Sequence, residues 1–200
     1  MNNQTLWHGK PYYSLNAYCK NTCGEKLSKI ALNAGFTCPN RDGTLDSRGC
    51  IFCSGAGSGD FSMSFTSNQS LAHIIHSYLE QMTCQHPGNR YIGYFQAYTN
   101  TYASVAELEQ KYTAVLDFPL IAGISIATRP DCLPPEILQL LKCLKQRYPD
   151  KFIWVELGLQ TIHEETAAFI RRGYPLSCFE EAVTALHALQ IPVITHVISG

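Results

Sequence analysis

Several features that would assign a protein class at once are missing from this sequence of 200 residues. Its longest apolar stretch, LIAGISIA at 120–127, is much shorter than the roughly 18–20 residues that cross a bilayer. The amino terminus, MNNQTLWHGKPYYS, lacks the basic, apolar and small-residue order of a signal peptide. The formal net charge is −1 and there is no Lys/Arg stripe. These absences argue against a membrane protein, an exported protein and a protein bound mainly to phosphate backbones, and they predict a cytoplasmic location.

Apolar, β-branched runs alternate along the chain with segments of helical period. The runs predicted as strands are 27–33, 91–98, 120–128, 152–160 and 192–199. The predicted helices cover 68–82 and begin at Pro134–Pro135 and at three capping boxes, Ser104-x-x-Glu107, Thr161-x-x-Glu164 and Ser177-x-x-Glu180. Strand and helix in alternation require parallel strands with right-handed crossovers, so the predicted class is α/β. Because no GxGxxG follows the first strand, a partial parallel (β/α) barrel is favoured over an open doubly wound sheet.

The two ends of the sequence differ in character. Residues 1–26 precede the first predicted strand and are interpreted as an N-terminal extension, and residues 27–200 as one core domain. The fifth predicted strand ends near Gly200 with no helix after it. Parallel strands need both faces covered and a neighbour on each edge. We therefore expect a core that is truncated at the fifth strand, as the front part of a longer protein.

Three of the nine cysteines, Cys38, Cys50 and Cys53, lie within sixteen positions of an irregular segment after the first predicted strand. An α/β barrel places such a loop at the end of the barrel where functional sites form. Four interpretations are open: free thiols, a redox pair of Cys50 and Cys53, a zinc site with an additional ligand, and an iron–sulfur cluster on three thiolates. The last interpretation leaves one iron open to a ligand from outside the protein.

Five ordered segments resemble the radical S-adenosylmethionine superfamily. They are GEKLSKIALNAGFTCPNRDGT (24–44), YFQAYTNTYA (94–103), ATRPDCLP (127–134), ELGLQTIHEET (156–166) and RRGYP (171–175). Together they are similar to its YhcC/YtqA-type branch, which is related to elongator-type (Elp-like) proteins. The eleven residues between Cys38 and Cys50 depart from the commonest C-x3-C-x2-C spacing of the superfamily. The fold that the resemblance implies is a radical SAM type of partial barrel.

The resemblance implies two cofactors and a reaction. Cys38, Cys50 and Cys53 would ligate a [4Fe-4S] cluster, and S-adenosylmethionine would chelate the fourth iron through its amino and carboxylate groups. An electron from a flavodoxin- or ferredoxin-type reductant would split that cofactor reductively and give a 5′-deoxyadenosyl radical, which abstracts hydrogen from a substrate. The protein itself would hold and orient the cofactors and exclude water.

Five further residues are implied as cofactor contacts. Phe52 matches an aromatic position near the adenine. Thr99 and Asn100 stand where the superfamily usually has a Gly-Gly-Glu-like segment, whose backbone meets the methionyl amine. Gln160 and Arg172 match positions that hold the ribose hydroxyls and the methionine carboxylate, and a guanidinium suits a carboxylate because its donors form a planar fork.

The substrate is a separate question, since fold and cofactor do not name it. Kinship with tRNA-modifying branches makes a wobble-uridine side chain of tRNA the expected substrate. The alternative hypothesis is a zinc-binding structural or interaction module without catalysis, held by the three cysteines and a fourth ligand. Glu156 and His196 are expected to point into the barrel as satisfied polar groups, whereas Arg129 and Asp131 either pair with each other or face the substrate.

Overall fold

The computed structural model describes residues 9–53, 63–64, 71–85 and 90–199. Its elements, in chain order, are α1 (Leu15–Cys23), β1 (Ser28–Asn33), β2 (Met63–Ser64), α2 (Leu71–Gln85), β3 (Tyr91–Phe95), α3 (Val105–Leu116), β4 (Ile121–Thr128), a 3-10 turn (Pro130–Cys132), α4 (Pro135–Arg147), β5 (Phe152–Gln160), α5 (Glu164–Phe169), α6 (Leu176–Ala188) and β6 (Val193–Val197). The predicted alternation of strands and helices is confirmed.

The described strands form one sheet in the order β2-β1-β3-β4-β5-β6, and every neighbouring pair is parallel. The α/β class is therefore confirmed. Five of these strands correspond to the predicted runs, and the two-residue β2 is too short to show a period in the sequence. From β1 onward the order follows the chain without a switch, as a barrel requires.

The sheet is curled into part of a barrel rather than flat. Lys29 of β1 places its Nζ atom 2.5 Å from Oε1 of Glu156 on β5. Three interstrand spacings separate β1 from β5, so a flat sheet would hold their backbones about 14 Å apart with side chains perpendicular to the plane. The contact requires the strands to curve around a common interior, which confirms a partial, unclosed barrel in the described part of the chain.

Helix starts follow side-chain and proline chemistry, and one of the three expected caps is confirmed. Ser104 begins α3, where its Oγ accepts the backbone N–H of Glu107. The other two expected caps are wrong. α5 has His163 as its N-cap, and α6 has Pro175, which leaves Ser177 inside the helix. The proline at 175 is extended, with ψ 165°, and carries the chain directly into the helical turn.

The region interpreted as an N-terminal extension contributes helix α1, which the sequence pattern did not predict. Ser14 caps α1, and Cys19 is fully buried. Cys19 belongs to one apolar cluster with Ile92, Ala122 and Trp154, which lie in the amino-terminal halves of β3, β4 and β5. α1 thus covers the end of the barrel opposite to the strands' carboxyl ends. None of the described helices has the length and apolarity to cross a membrane.

Candidate functional site

One cavity lies where the carboxyl ends of the strands meet the segment that follows β1. It is lined by the three loop cysteines, Cys38, Cys50 and Cys53, and by Phe52, Thr99, Gln160 and Arg172. Of the eight predicted site residues, seven therefore face a single space, although they come from four separate stretches of sequence. Asn100 is the exception, and its position is described below.

The cysteine loop is held by its own backbone and by one arginine. The N–H groups of Arg41 and Asp42 donate to the carbonyl of Cys38, and Gly49 donates to the carbonyl of Asn40 at 2.8 Å. Arg41 donates from Nη2 to the carbonyl of Cys53 at 3.0 Å. Gly49 has φ 72°, and a Cβ there would lie 2.9 Å from Nε of Arg41, so only glycine allows this side chain to cross the loop.

The surroundings of the thiols favour deprotonation of Cys50. A hydrogen bond from Cys53 is the main cause that lowers the pKa of Cys50 to about 6; burial opposes it, while Asn40, Arg129 and Arg41 act in the same direction. The same hydrogen bond raises the pKa of Cys53. A metal centre binds thiolates rather than thiols, so two arginines beside the cysteines suit the negative charge that such a centre would concentrate.

The described residues contain no group of three or more His, Cys, Asp or Glu side chains arranged around the position of a single metal ion. One zinc ion would draw its ligands into one tetrahedron. Three cysteines line one open cavity, and their arrangement by itself assigns no metal to them.

The turn after β3 adopts a backbone conformation that glycine would favour. Ala97 has φ 63° and Tyr98 has φ 62°, both in the left-handed region. Such a conformation costs roughly 1–2 kcal/mol per non-glycine residue. The resemblance placed a Gly-Gly-Glu-like segment here, and this chain keeps a glycine-like backbone without the glycines. Strain at the edge of a cavity indicates a functional constraint on the turn.

The strained turn contains one buried, unpaired hydroxyl on a residue that lines the cavity. Thr99 is 1% exposed, and its Oγ1 has no hydrogen-bond partner among the described residues. Asn100 instead donates from Nδ2 to the carbonyls of Ala97 at 3.2 Å and Ala127 at 2.8 Å. The amide nitrogen of Asn100 thus supports the turn, whereas its Oδ1 atom, like the hydroxyl of Thr99, has no partner among the described residues. The role of Asn100 as a cofactor contact stays a prediction.

Gln160 and Arg172 reach the cavity in different ways. Gln160 ends β5 with φ 64°, a third left-handed residue at the cavity edge. Arg172 is 1% exposed. Its guanidinium donates to the carbonyls of Leu159, Thr161 and Tyr174 and to the carboxylate of Glu164. Since four of its five N–H groups are used, Arg172 mainly orders the segment after β5, and its contact with a cofactor carboxylate stays a prediction.

The first of the two expectations for Arg129 and Asp131 is confirmed, because they bond to each other, and Arg129 also lines the cavity; contact with a substrate stays a prediction. Nε and Nη2 of Arg129 lie 2.9 and 2.7 Å from the two oxygens of Asp131. The guanidinium also lies 4.9 Å from the ring centroid of Tyr174. Arg129 is thus a buried, paired cation beside the thiols. Tyr174 was not predicted, because only the fold brings it to the cavity.

A polar cluster forms the deeper wall of the same cavity, which Tyr94, Glu156 and His196 line. Oε1 of Glu156 accepts from Lys29 at 2.5 Å and from the hydroxyl of Ser125, and Oε2 lies 2.6 Å from Nε2 of His196. Burial alone would raise the pKa of Glu156, but the hydrogen bonds from His196, Lys29 and Ser125 outweigh it and lower the pKa to about 2. The expectation of satisfied polar groups inside the barrel holds for Glu156.

Comparison with known proteins connects this site to a family. The model of the Radical SAM superfamily matches residues 38–200. Curated relatives include the uncharacterized protein YtqA of Bacillus subtilis, 45% identical over 191 residues, and protein YhcC of Escherichia coli K12, 37% identical over 178 residues. These alignments cover 96% and 88% of this chain but 58% and 55% of the relatives. The chain thus spans a little over half the length of the curated relatives it matches.

A solved structure shares the fold. It is the archaeal Elp3 of Methanocaldococcus infernus with an N-terminal deletion, which matches with a TM-score of 0.54 and 15% identity over 87% of this chain and 38% of that one. The family match begins at Cys38, the first of the three cavity cysteines, and extends through the strands that build the cavity. The chain therefore belongs to the Radical SAM superfamily.

Proposed function

We propose that this chain is the cofactor-binding part of a radical SAM enzyme. The observation that carries the proposal is the cavity itself: three cysteines line the same space as Thr99, whose buried hydroxyl has no partner among the described residues. A cluster held on three cysteines leaves one iron open, and the ligand of that iron would lie in this cavity. An unpaired buried hydroxyl is costly unless a ligand completes it, which favours a polar ligand there.

The residues present fit both cofactors. Cys38, Cys50 and Cys53 would hold a [4Fe-4S] cluster. S-adenosylmethionine would lie between that cluster and the strand ends, with Thr99 and Gln160 as polar contacts. In the superfamily the two cofactors together supply reductive cleavage of S-adenosylmethionine, which produces a species able to abstract hydrogen.

The protein's own contribution is orientation, charge and exclusion of water. Arg129 and Arg41 place positive charge beside the thiols, which offsets the charge of a thiolate-bound cluster. Phe52 is 42% exposed at the cavity edge, where its ring offers an apolar surface to a purine. The strained backbone at Ala97 and Tyr98 fixes the direction in which Thr99 points, so the cavity is organised before any ligand enters.

Anaerobic reconstitution with iron and sulfide tests the cluster. The wild-type chain should acquire broad visible absorption and bound iron, and the reduced protein should convert S-adenosylmethionine to 5′-deoxyadenosine. Cys53→Ala should lose both, since one cluster ligand is gone. Cys143→Ala is the matched control, because Cys143 is an exposed thiol on α4. Equal behaviour of the two variants would contradict the proposal.

The same preparation decides the alternative of a zinc-binding module. Zinc has a filled d shell and gives no visible colour, so a colourless protein that contains zinc and no iron by elemental analysis would favour that alternative. Retention of zinc in Cys38→Ala would then show that the metal does not need the cysteine loop.

For the substrate we propose a wobble-uridine side chain of tRNA, supported by the resemblance to elongator-type proteins. A single-stranded or flipped base is the form of RNA that could enter a cavity at a barrel mouth. The test compares the modified nucleosides of total tRNA from cells with and without the gene by liquid chromatography and mass spectrometry. An unchanged pattern would remove this substrate without affecting the cluster proposal. A flavodoxin- or ferredoxin-type protein is the proposed electron donor.

A further inference from the structure

Asn40 is a buried polar residue of the cysteine loop that the functional assignment has not used. It is 3% exposed and lies between the loop and the turn that connects α5 to α6. Its Nδ2 atom is 2.9 Å from the carbonyl oxygen of Arg171 and 3.4 Å from Sγ of Cys50. The amide therefore connects a predicted cluster ligand to the turn at Arg171, and Sγ of Cys50 itself lies 3.3 Å from the same carbonyl oxygen.

The orientation of this amide follows from its neighbours. An amide nitrogen has two protons, and the short contact to the carbonyl of Arg171 takes one of them. The carbonyl of Arg172 is also 3.4 Å away, but it already accepts from Arg129 at 3.1 Å. A flipped amide would set its oxygen against a carbonyl oxygen, which is repulsive. The second proton then has two acceptors at 3.4 Å, the carbonyl of Arg172 and Sγ of Cys50, and a cluster-bound thiolate would be the more negative of the two.

The turn that holds Asn40 is shaped for close approach. Arg171 has φ 57° and Gly173 has φ 81°, so two of its residues are left-handed. A Cβ at position 173 would lie 2.9 Å from Oδ1 of Asn40, and only glycine leaves that space. Ile51 reinforces the junction by donating its backbone N–H to the carbonyl of Ile170 at 3.2 Å. The amide is thus clamped from both sides and not free to rotate.

We propose that Asn40 is a positioning residue that sets the reduction potential of the cluster by donating an N–H···S hydrogen bond to Cys50. Hydrogen bonds to the sulfurs are one of the factors that determine cluster potentials, because they stabilise the more negative, reduced form. The bond raises the potential and makes the cluster easier to reduce. This inference rests on the proposed function, since it needs a cluster on Cys50.

The first experiment compares potentials. Wild type, Asn40→Ala and Thr44→Ala are reconstituted anaerobically, and the reduction midpoint of each cluster is measured by titration monitored with electron paramagnetic resonance. Asn40→Ala should shift to a more negative midpoint. Thr44→Ala should match wild type, because Thr44 lies in the same loop but bonds to the hydroxyl of Tyr102 and to no cysteine. An unshifted midpoint in Asn40→Ala would overturn the proposal.

A second experiment uses the wild-type protein, so the surroundings of the cluster are unchanged. It decides the case if Asn40→Ala takes up iron poorly. Wild-type protein is labelled with ¹⁵N in asparagine side chains, and pulsed electron paramagnetic resonance of the reduced cluster reads hyperfine coupling to nearby nitrogen. A coupled asparagine nitrogen is the expected result. Its absence would show that Asn40 makes no bond to the cluster sulfur.

Failure of this inference is distinguishable from failure of the proposed function. If the wild-type protein binds no iron, the proposed function is wrong and there is no cluster whose reduction midpoint could be measured. If the wild-type cluster forms, is reduced and shows neither an asparagine coupling nor a shift in Asn40→Ala, the cluster stands and only the role of Asn40 is wrong. Gly173→Ala gives an independent check, because its methyl group would displace Asn40 and should also lower the midpoint.

Discussion

At the scale of single residues, Thr99 and Thr101 show how neighbouring hydroxyls in one turn serve different purposes. Both are almost fully buried. Thr101 bonds to the hydroxyl of Thr128 and to the carbonyl of Cys132, each at 2.6 Å. Oγ1 of Thr99 finds no such partner within the described part of the chain, although Thr99 lines the cavity. One hydroxyl stabilises the fold, and the other is the one we propose for a ligand.

The substitution Thr99→Val should separate these roles. Removing an unsatisfied buried hydroxyl should leave the free energy of unfolding unchanged or slightly higher, while affinity for S-adenosylmethionine should fall by about tenfold through one lost hydrogen bond. Chemical denaturation and equilibrium binding to the reconstituted protein measure the two effects. Thr101→Val, the matched control, should instead lose about 1–3 kcal/mol of stability. A destabilised Thr99→Val with unchanged affinity would show that its hydroxyl is structural.

At the scale of elements, the outer helices lie close enough to the sheet to exclude side chains from some strand positions. Gly93 of β3 faces α3, and a Cβ built there would lie 2.5 Å from Cγ1 of Val115. Val115 is fully buried, as are its neighbours Leu108 and Tyr112 on the same helix. The absence of a side chain at 93 therefore sets how near α3 approaches β3.

Gly93→Ala and Val115→Ala should each destabilise the protein by about 1–3 kcal/mol, the first by overpacking and the second by leaving a cavity. The double variant should lose clearly less free energy of unfolding than the sum of the two single losses, because the added methyl group fills the space of the removed one. A double-mutant cycle from urea denaturation, with the four proteins compared at one pH, measures this coupling. Additive effects would mean that α3 shifts away from the sheet instead.

At the scale of the whole molecule, the cluster around Glu156 joins β5 to its two neighbouring strands and to β1 on the other side of the barrel. Lys29 comes from β1, Ser125 from β4, Glu156 from β5 and His196 from β6. Glu156 is 3% exposed, so its charge is compensated by these bonds rather than by water. Loss of the carboxylate charge would release Lys29 from across the barrel and weaken the curvature of the sheet.

The pH dependence of stability should reveal this carboxylate. Its pKa of about 2 in the folded state lies below the ordinary value of 4.5, so it stabilises the fold fully above about pH 4.5 and loses that effect as the pH falls toward 2. A shift of this size corresponds to roughly 3 kcal/mol. Unfolding free energies between pH 6 and about pH 2 should fall more steeply in wild type than in Glu156→Gln.

The control for this measurement is Glu109→Gln, because the side chain of Glu109 is half exposed and its ion pair with Arg147 is long, at 3.6 Å. Surface pairs of this kind contribute little, so its pH profile should follow that of wild type. A Glu156→Gln profile parallel to wild type would show that the cluster around Glu156 is not a source of acid sensitivity.

Sequence reasoning succeeded where the information is local. The strands on either side of the cavity show their β-branched runs, and the α/β class and partial barrel follow from their alternation with helices. The three cysteines stand within one loop, so their spacing along the chain is enough to predict that they lie close together. The predicted caps of α5 and α6 were wrong, because a serine or threonine at the right spacing does not show whether a nearby histidine or proline takes the N-cap position instead.

The contacts that organise the site could not be predicted in this way. Asn40 meets Arg171 across 131 positions, and Lys29 meets Glu156 across 127. Left-handed backbone at Ala97 and Tyr98 is also invisible in a sequence, because these residue types rarely adopt it and only the surrounding structure enforces it. Packing decides such features, and packing depends on all elements at once.

By itself, then, the sequence determined the order of strands and helices, the cysteine loop and the likeness to a family, because short-range periodicity and contiguous motifs are carried by neighbouring residues. Only the tertiary structure decided that Thr99 lines the cavity while the amide nitrogen of Asn100 supports the turn, that Arg172 is mostly occupied, and that Asn40 reaches a cysteine sulfur. Those outcomes depend on which distant groups satisfy each buried donor and acceptor, and chain folding alone brings them together.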